Sequence, residues 1–197
     1  MFNHEAKIGA KLEVVKMSNY RRGVWYDQTG LPWIAPSPNL RTLTAATLYT
    51  GVAILEGANV SVGRGTESPF ELVGAPWIDG NRLATYLNKR NIPGVSFAAT
   101  SFTPNADRYR NILCRGVRII VQDRNQLDSP TLGIELASAL YSLHASTLQL
   151  DHTVGMIGAR WVLQAIQAGS DPRAIAQRWA HSLDEFRMLR AKYLLYP

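Results

Sequence analysis

A polar, glycine-rich stretch at residues 56–71 contains the side chains best suited to chemistry in this chain. It has three glycines, three glutamates and one arginine within sixteen positions. Gly63 and Gly65 flank Arg64, so the backbone can take up positive φ angles and approach a ligand closely. A guanidinium in such a place can grip a carboxylate or a phosphate with two parallel hydrogen bonds. A tight turn in which Arg64 pairs with a neighbouring carboxylate fits the same pattern, and the sequence alone leaves both interpretations open.

Two carboxylates bracket this stretch. Glycoside hydrolysis commonly uses a pair of carboxyl groups about 5 to 9.5 Å apart, one of them a protonated acid at the leaving oxygen. Glu56 is therefore a candidate catalytic residue, and Glu71 is a candidate substrate-binding residue. A purely structural role is equally consistent with the sequence for both glutamates. Glu71 could simply pair with Arg64, and Glu56 could accept backbone N–H bonds that hold the turn.

Several polar and aromatic side chains nearby are suited to holding a sugar. Hydroxyl and acetamido groups need short donors and acceptors, and the apolar face of a sugar ring packs well on an indole. Besides Arg64 and Glu71, the candidate binding residues are Asn59, Ser61, Thr66, Trp33 and Trp77. Each of them has an alternative role in fixing its own loop.

The elements that must position these residues follow from periodicity. Neither the helical nor the strand period survives at 56–71, which predicts an ordered loop. An apolar strand at 52–55 is predicted to carry Glu56 at its end, after a helix at 41–49. Beyond the loop, the pattern predicts strands at 70–74, 95–102 and 116–122, and helices at 79–91, 130–143, 159–168 and 171–193. The predicted fold class is α+β, with a small mixed sheet, helices packed on it and a helical C-terminal third in one compact domain.

The two ends of the chain are less regular. Residues 2–8 are predicted to end a helix at Gly9, and residues 11–17 alternate well enough for a strand. Three prolines between residues 26 and 39 exclude regular structure there. One apolar stripe in the last predicted helix is typical of core packing and comprises Leu183, Phe186, Leu189, Tyr193 and Leu194.

Composition narrows the function classes. The chain has 197 residues, 46% of them hydrophobic, and a formal net charge of +6. Its arginines are scattered rather than clustered on one stripe, which makes a nucleic-acid partner unlikely. The single cysteine, Cys114, excludes an intramolecular disulfide and is expected in the core. No metal or cofactor site is predicted, because the four histidines are far apart in sequence. No membrane span or export signal is present in these residues.

The order of the loop motifs resembles a known family. The matching segments are Asp27-x-Thr29-Gly30-Leu31-Pro32-Trp33 with Pro36-Ser37-Pro38-Asn39, Glu56-Gly57-x-Asn59-x-Ser61-x-Gly63-Arg64-Gly65-Thr66, Pro69-Phe70-Glu71, Gly74-Ala75-Pro76-Trp77, Phe102-x-Pro104, Cys114-x-Gly116-Val117, Asp123-Arg124 and Tyr193-Leu194-Leu195-Tyr196. Together they are similar to the C-terminal region of the exo-β-N-acetylmuramidase (NamZ-like) family, long treated as a domain of unknown function. The chain departs from the family pattern at Gly158-Ala159-Arg160, where a Gly-Thr-Asp sequence is expected.

The resemblance implies a bacterial glycosidase of cell wall recycling that releases N-acetylmuramic acid from the non-reducing end of peptidoglycan fragments. It also implies a Rossmann-like N-terminal domain that carries the catalytic glutamate, with residues 1–197 as the C-terminal domain, and a secreted or periplasmic location. The leading hypothesis is therefore a substrate-recognising part of this enzyme, for which the partners are the saccharide and the N-terminal domain. The alternative is a carbohydrate-binding or peptidoglycan-binding module without hydrolase activity.

Overall fold

The computed structural model describes all 197 residues, which divide into two compact units. Residues 33–176 form the larger unit, and residues 1–32 with 177–197 form the smaller one. The helices are α1 (Phe2–Glu5), α2 (Leu43–Val52), α3 (Gly80–Lys89), α4 (Ser129–His144), α5 (Val154–Ile157), α6 (Arg160–Gln167), α7 (Pro172–Gln177) and α8 (Ala180–Ala191). The strands are β1 (Leu72–Ala75), β2 (Val95–Phe102) and β3 (Cys114–Val121). Short 3-10 helices lie at Tyr26–Thr29, Ala53–Gly57 and Asp151–Thr153.

A three-stranded sheet in the order β1-β3-β2 forms the centre of the larger unit. Both strand pairs are antiparallel, with Gly74 opposite Gly116 and Ser101 opposite Arg115. The predicted α+β class is thus confirmed, but the prediction of a mixed sheet is wrong, because both strand pairs are antiparallel. All four residues of β1 are buried, whereas β2 at the sheet edge is largely exposed beyond Phe97.

Side-chain caps begin the helices that pack around this sheet. Thr42, Asp79 and Asp128 each accept a hydrogen bond from a backbone N–H in the first turn, at α2, α3 and α4 respectively. Such caps satisfy amide groups that a helix start otherwise leaves without a partner. Asp79, the first residue of the helix predicted at 79–91, is the N-cap and fixes where α3 begins beside the sheet.

The crossing of α2 and α4 is close because two glycines meet there. A Cβ atom built on Gly51 would lie 1.8 Å from the carbonyl oxygen of Ser129, and one on Gly133 would lie 2.4 Å from the oxygen of Gly51. The hydroxyl of buried Ser129 also accepts a hydrogen bond from the N–H of Gly51. These contacts hold the segment after α2, which carries Glu56, against α4.

Two predictions of secondary structure after residue 50 are wrong. Residues 52–55 form the end of α2 and the start of a 3-10 helix rather than a strand. A short apolar run fits a buried helix as well as a strand, and four residues are too few for periodicity to decide. The single helix predicted at 171–193 is interrupted before Ala180, so α7 and α8 are separate. Cys114 is fully buried, as predicted, and this burial raises the pKa of its thiol to about 11.

The smaller unit contains little regular structure. Residues 11–17 do not form the predicted strand; they are exposed and have no neighbouring strand to pair with. The helix predicted at residues 2–8 is limited to α1, although Gly9 has the expected positive φ of 72°. The apolar stripe of α8 is not core, because α8 has no buried residue and Leu183 and Phe186 are exposed.

Candidate functional site

The loop at residues 56–71 has the positive φ angles that its glycines permit. Gly63 and Gly65 have φ values of 79° and 77°. A Cβ atom on Gly65 would lie 2.5 Å from the carbonyl oxygen of Ala106, and the N–H of Asn105 donates to the oxygen of Gly65 at 2.8 Å. Glycine at this position therefore lets a second loop, residues 103–113, pack against the first one. The group that lies closest to Gly65 is therefore protein backbone rather than a ligand.

Arg64 lies in a cluster of charged and aromatic groups. Its Nε donates a short hydrogen bond to Oε1 of Glu56 and lies 3.9 Å from Oδ2 of Asp107. Its guanidinium carbon is 5.2 Å from the centre of the Phe70 ring. The hydrogen bond that Arg64 donates to Glu56 is the main cause of a raised Arg64 pKa, so the guanidinium stays charged at any physiological pH.

The Arg64 side chain remains accessible. Its exposed fraction is 30%, and that of Glu56 is 21%. Beside the pair lies a cavity of about 50 Å³, lined also by Ser61, Asp107 and Arg108. The terminal Nη nitrogens form no hydrogen bond within the protein, whereas Nε is taken by Glu56. The pair thus offers a charged, oriented donor group at a small opening.

Glu71 is separate from this cluster. Its carboxylate accepts a hydrogen bond from the hydroxyl of Thr42 at 3.2 Å and lies 3.5 Å from Nη1 of Arg118. The carboxylate that pairs with Arg64 is Glu56, so the alternative pairing of Arg64 with Glu71 is not the one formed. Glu71 instead connects the start of α2 to strand β3.

The three short polar residues of the loop are engaged in bonds that hold its shape. The Asn59 amide donates to the oxygen of Thr147 and accepts from the N–H of Gln149. The buried Ser61 hydroxyl accepts from the N–H of Gly63, and the Thr66 hydroxyl donates to the oxygen of Gly63. Of these three, the structure brings Ser61 to the Arg64 cavity.

The two candidate tryptophans occupy different surroundings. The indole N–H of Trp33 donates to the oxygen of Leu40 at 3.2 Å, within the proline-rich loop. Trp77 lines a groove of about 670 Å³, and its indole N–H is 3.2 Å from the hydroxyl of Tyr109. That hydroxyl in turn donates to the backbone oxygen of Asn59 at 2.7 Å. Trp77 is thereby tied to the loop that bears Arg64.

Sequence reasoning missed three residues of this region. Asp107 and Tyr109 lie on the loop at 103–113, and Arg115 lies at the start of β3 and lines the Trp77 groove. Asp107 and Tyr109 both have positive φ, of 64° and 62°. The available signal was the polar, turn-forming composition of residues 103–111, in which proline, asparagine and aspartate are typical of a structured loop.

Comparison with known proteins now identifies the family. The description "Exo-beta-N-acetylmuramidase NamZ, C-terminal" matches residues 47–196. The chain belongs to the NamZ exo-β-N-acetylmuramidase family. The corresponding N-terminal description, "Exo-beta-N-acetylmuramidase NamZ, N-terminal", matches residues 1–44. The peptidoglycan β-N-acetylmuramidase NamZ of Bacillus subtilis (strain 168) is 36% identical over 199 residues, which cover 100% of this chain and 48% of that protein.

Two solved structures share the fold. A DUF1343 family protein from Bacteroides fragilis NCTC 9343 matches with a TM-score of 0.73 and 27% identity, over 94% of this chain and 50% of its own. A second DUF1343 family protein from the same strain matches with a TM-score of 0.66 and 26% identity, over 91% of this chain and 47% of its own. The chain thus spans about half the length of the relatives that it matches.

No group of three or more histidine, cysteine, aspartate or glutamate side chains is arranged to hold a metal ion. None of the helices combines the length and the apolar character needed to cross a bilayer.

Proposed function

We propose that this chain is the substrate-recognising part of a glycoside hydrolase that releases N-acetylmuramic acid from the non-reducing end of peptidoglycan fragments. Membership of the NamZ family supports the reaction class. The observation that carries the recognition role is the partly exposed Arg64 guanidinium, which is fixed at Nε and has terminal nitrogens without a hydrogen bond, beside a cavity.

This geometry suits the chemical group that distinguishes muramic acid. N-acetylmuramic acid differs from N-acetylglucosamine by a lactyl ether that bears a carboxylate. A planar guanidinium binds a carboxylate through two parallel charge-assisted hydrogen bonds, which are about twice as strong as neutral ones. Glu56 and the Phe70 ring limit the motion of the Arg64 side chain, so less conformational entropy is lost when a ligand binds. Arg64 is therefore the proposed carboxylate-binding residue.

Glu56 is the one candidate catalytic residue in this chain. The hydrogen bond that Glu56 accepts from Arg64 supports a role in orienting the guanidinium. In the proposal, the acid that protonates the leaving oxygen is supplied by the N-terminal domain that the family resemblance implies. Of the other candidate binding residues, Ser61 lines the Arg64 cavity and Trp77 lines the larger groove. The remaining four hold the shape of the surrounding loops and are Asn59, Thr66, Glu71 and Trp33.

Reconstitution tests the reaction class. The purified chain is mixed with a chromogenic N-acetylmuramide, with and without a separately expressed N-terminal domain of a family member, and release of the chromophore is followed. Turnover restored only by the second component supports the proposal. Sugar binding without turnover in either mixture would favour a carbohydrate-binding module instead. Absence of both binding and turnover would overturn the recognition role.

The residue assignment is tested by Arg64→Lys, which keeps the charge and removes the two-pronged donor. We expect the affinity for N-acetylmuramic acid to fall about tenfold, equivalent to ~1.4 kcal/mol, while binding of N-acetylglucosamine changes little. Titration calorimetry measures both. Arg41→Lys is the matched control, because Arg41 forms an exposed ion pair with Glu67 away from the cavity. An equal loss for both sugars, or an unfolded variant, would assign Arg64 to the scaffold.

A further inference from the structure

A groove of about 670 Å³ lies beside Trp77 in the larger unit. Its walls come from the segment before α3, the start of α3 and the exposed edge strand β2. A Cβ atom on Gly80 would lie 2.5 Å from the carbonyl oxygen of Gly116, so glycine at position 80 lets α3 approach β3 closely. The volume falls within the range of about 300 to 1,000 Å³ that is typical of small-ligand sites.

A single guanidinium in this groove has no partner in the protein. Arg115 lies at the start of the central strand β3, between Ala75 on β1 and Ser101 on β2. The preceding residue, Cys114, is buried, and Arg115 is exposed on the opposite face, as alternation along a strand requires. Arg115 makes no ion pair or hydrogen bond with another side chain, whereas Arg64, Arg90 and Arg118 each contact a carboxylate.

The rest of the lining is suited to a saccharide. Trp77 and Pro76 contribute apolar surface, and Asn81, Thr100 and Ser101 contribute amide and hydroxyl groups. The one carboxylate of the lining, Asp79, accepts a backbone hydrogen bond as the cap of α3. The Trp77 indole is held in place by its contact with Tyr109 and by an edge-on contact with His144, with ring centroids 5.3 Å apart. A fixed aromatic wall next to polar groups is the usual composition of a surface that binds sugar rings.

The volumes separate the roles of the two arginines. The cavity at Arg64, about 50 Å³, is about the size of one or two water molecules and accommodates a substituent rather than a ring. The Trp77 groove has more than ten times that volume. A saccharide chain longer than one unit therefore has its space beside Trp77 and Arg115.

We propose that the groove lined by Trp77, Ser101 and Arg115 binds a second, acidic portion of the saccharide chain, with Arg115 holding a carboxylate. This inference rests on the proposed function, and it adds a subsite that recognises chain length and charge. Arg115 acts here as a binding residue with no part in bond cleavage.

Calorimetric titration of the 197-residue chain with three ligands tests this subsite. The ligands are N-acetylmuramic acid, a peptide-free peptidoglycan tetrasaccharide with two muramic carboxylates, and the neutral tetramer of N-acetylglucosamine. We expect the acidic tetrasaccharide to bind about tenfold more tightly than the monosaccharide, since an additional charge-assisted contact contributes roughly this factor. Arg115→Gln should remove most of that gain and leave the monosaccharide and the neutral tetramer within about twofold of their original affinities.

Two further variants make the result decisive. Ala99→Trp fills the groove from the exposed edge strand and should also abolish the preference for the tetrasaccharide. Arg110→Gln removes one exposed positive charge outside the groove and should change none of the three affinities. Equal affinity for the monosaccharide and the acidic tetrasaccharide would overturn the subsite alone. Failure of the unmodified chain to bind any of the muramic ligands would overturn the proposed function together with it.

Discussion

Most polar side chains around the candidate site already have partners within the protein. Asn59 holds two backbone groups, Thr66 closes its own turn, and Trp77 is linked to Tyr109. The donors without a protein hydrogen bond include the terminal nitrogens of Arg64 and the guanidinium of Arg115. A ligand that binds both guanidiniums would carry negative charge, because unpaired guanidinium donors favour anionic acceptors. These unpaired guanidinium donors therefore favour an acidic saccharide over a neutral one.

His144 gives the chain a defined pH dependence of stability. Its ring packs edge-on against Trp77, and its Nε2 is buried without a hydrogen-bond partner. Burial, with Arg82 adding to it and Asp79 opposing it, lowers the His144 pKa below the ordinary value of 6.5. The unfolded chain therefore takes up a proton first as the pH falls. This contribution to stability is complete above about pH 6.5 and is lost progressively below it.

Urea unfolding between pH 5 and pH 8 measures this effect. We expect the free energy of unfolding of the unmodified chain to decline more steeply below pH 6.5 than that of His144→Gln. His181→Gln is the matched control, because His181 is exposed on α8 in an ion pair with Glu185. Parallel pH profiles for the unmodified chain and His144→Gln would contradict the assignment.

At the scale of elements, the sequence predicted those parts of the fold that local signals determine. Strand β2 was predicted with its observed bounds, and the cap at Asp79 placed the start of α3. The prediction of a strand at 52–55 was wrong because a run of four apolar residues is too short to show either a helical or a strand period. The prediction of a strand at 11–17 was wrong because a strand needs a neighbouring strand to pair with, and alternation of apolar and polar residues does not provide one.

The candidate site was predictable only within its own loop. The charged cluster joins Arg64 to Glu56 eight positions earlier, which lies within the same stretch, and to Asp107, which lies on a different loop. The Trp77 groove combines residues of three separate elements. Such contacts depend on how the sheet and α3 pack, and a single sequence contains no periodic or compositional signal for them. Arg115 was missed for this reason.

The crossing of α2 and α4 is the element contact most sensitive to side-chain size. Gly51→Ala places a methyl group 1.8 Å from the carbonyl oxygen of Ser129, and this backbone atom cannot rotate away. The helices must then separate, and overpacking of this kind typically costs about 1 to 3 kcal/mol. Chemical denaturation should show a lower midpoint with an unchanged denaturant slope.

Gly155→Ala is the control for that substitution. Gly155 lies in the short helix α5, and a Cβ atom there would meet nothing within 4 Å. Alanine is the better helix former, so we expect unchanged or slightly raised stability, by less than about 1 kcal/mol. A loss at Gly155→Ala as large as that at Gly51→Ala would show that the crossing distance is not the cause.

At the scale of the larger unit as a whole, a buried ionic network joins segments that are distant in sequence. Glu135 on α4 is only 2% exposed and accepts two hydrogen bonds from Arg90, at 2.8 and 2.9 Å. Arg90 follows the last turn of α3 and also donates to Asp171, just before α7. Arg173 adds a hydrogen bond to the backbone oxygen of Arg90. The network therefore couples α3, α4 and the start of α7 in one folding unit.

Arg90→Ala should destabilise this unit strongly, because it removes both hydrogen bonds to the buried Glu135 carboxylate and leaves only Arg173, whose Nε lies 3.9 Å from Oε1. Breaking a buried pair from one side costs about 3 to 5 kcal/mol, measured as the free energy of unfolding in urea. Arg187→Ala, which removes an exposed ion pair with Asp184, should have little measurable effect. The double variant Arg90→Met with Glu135→Leu should recover much of the loss, since well-packed apolar side chains often replace a buried ion pair without cost. If the double variant were less stable than Arg90→Ala alone, the loss would come from the packing of these side chains rather than from an unpaired charge.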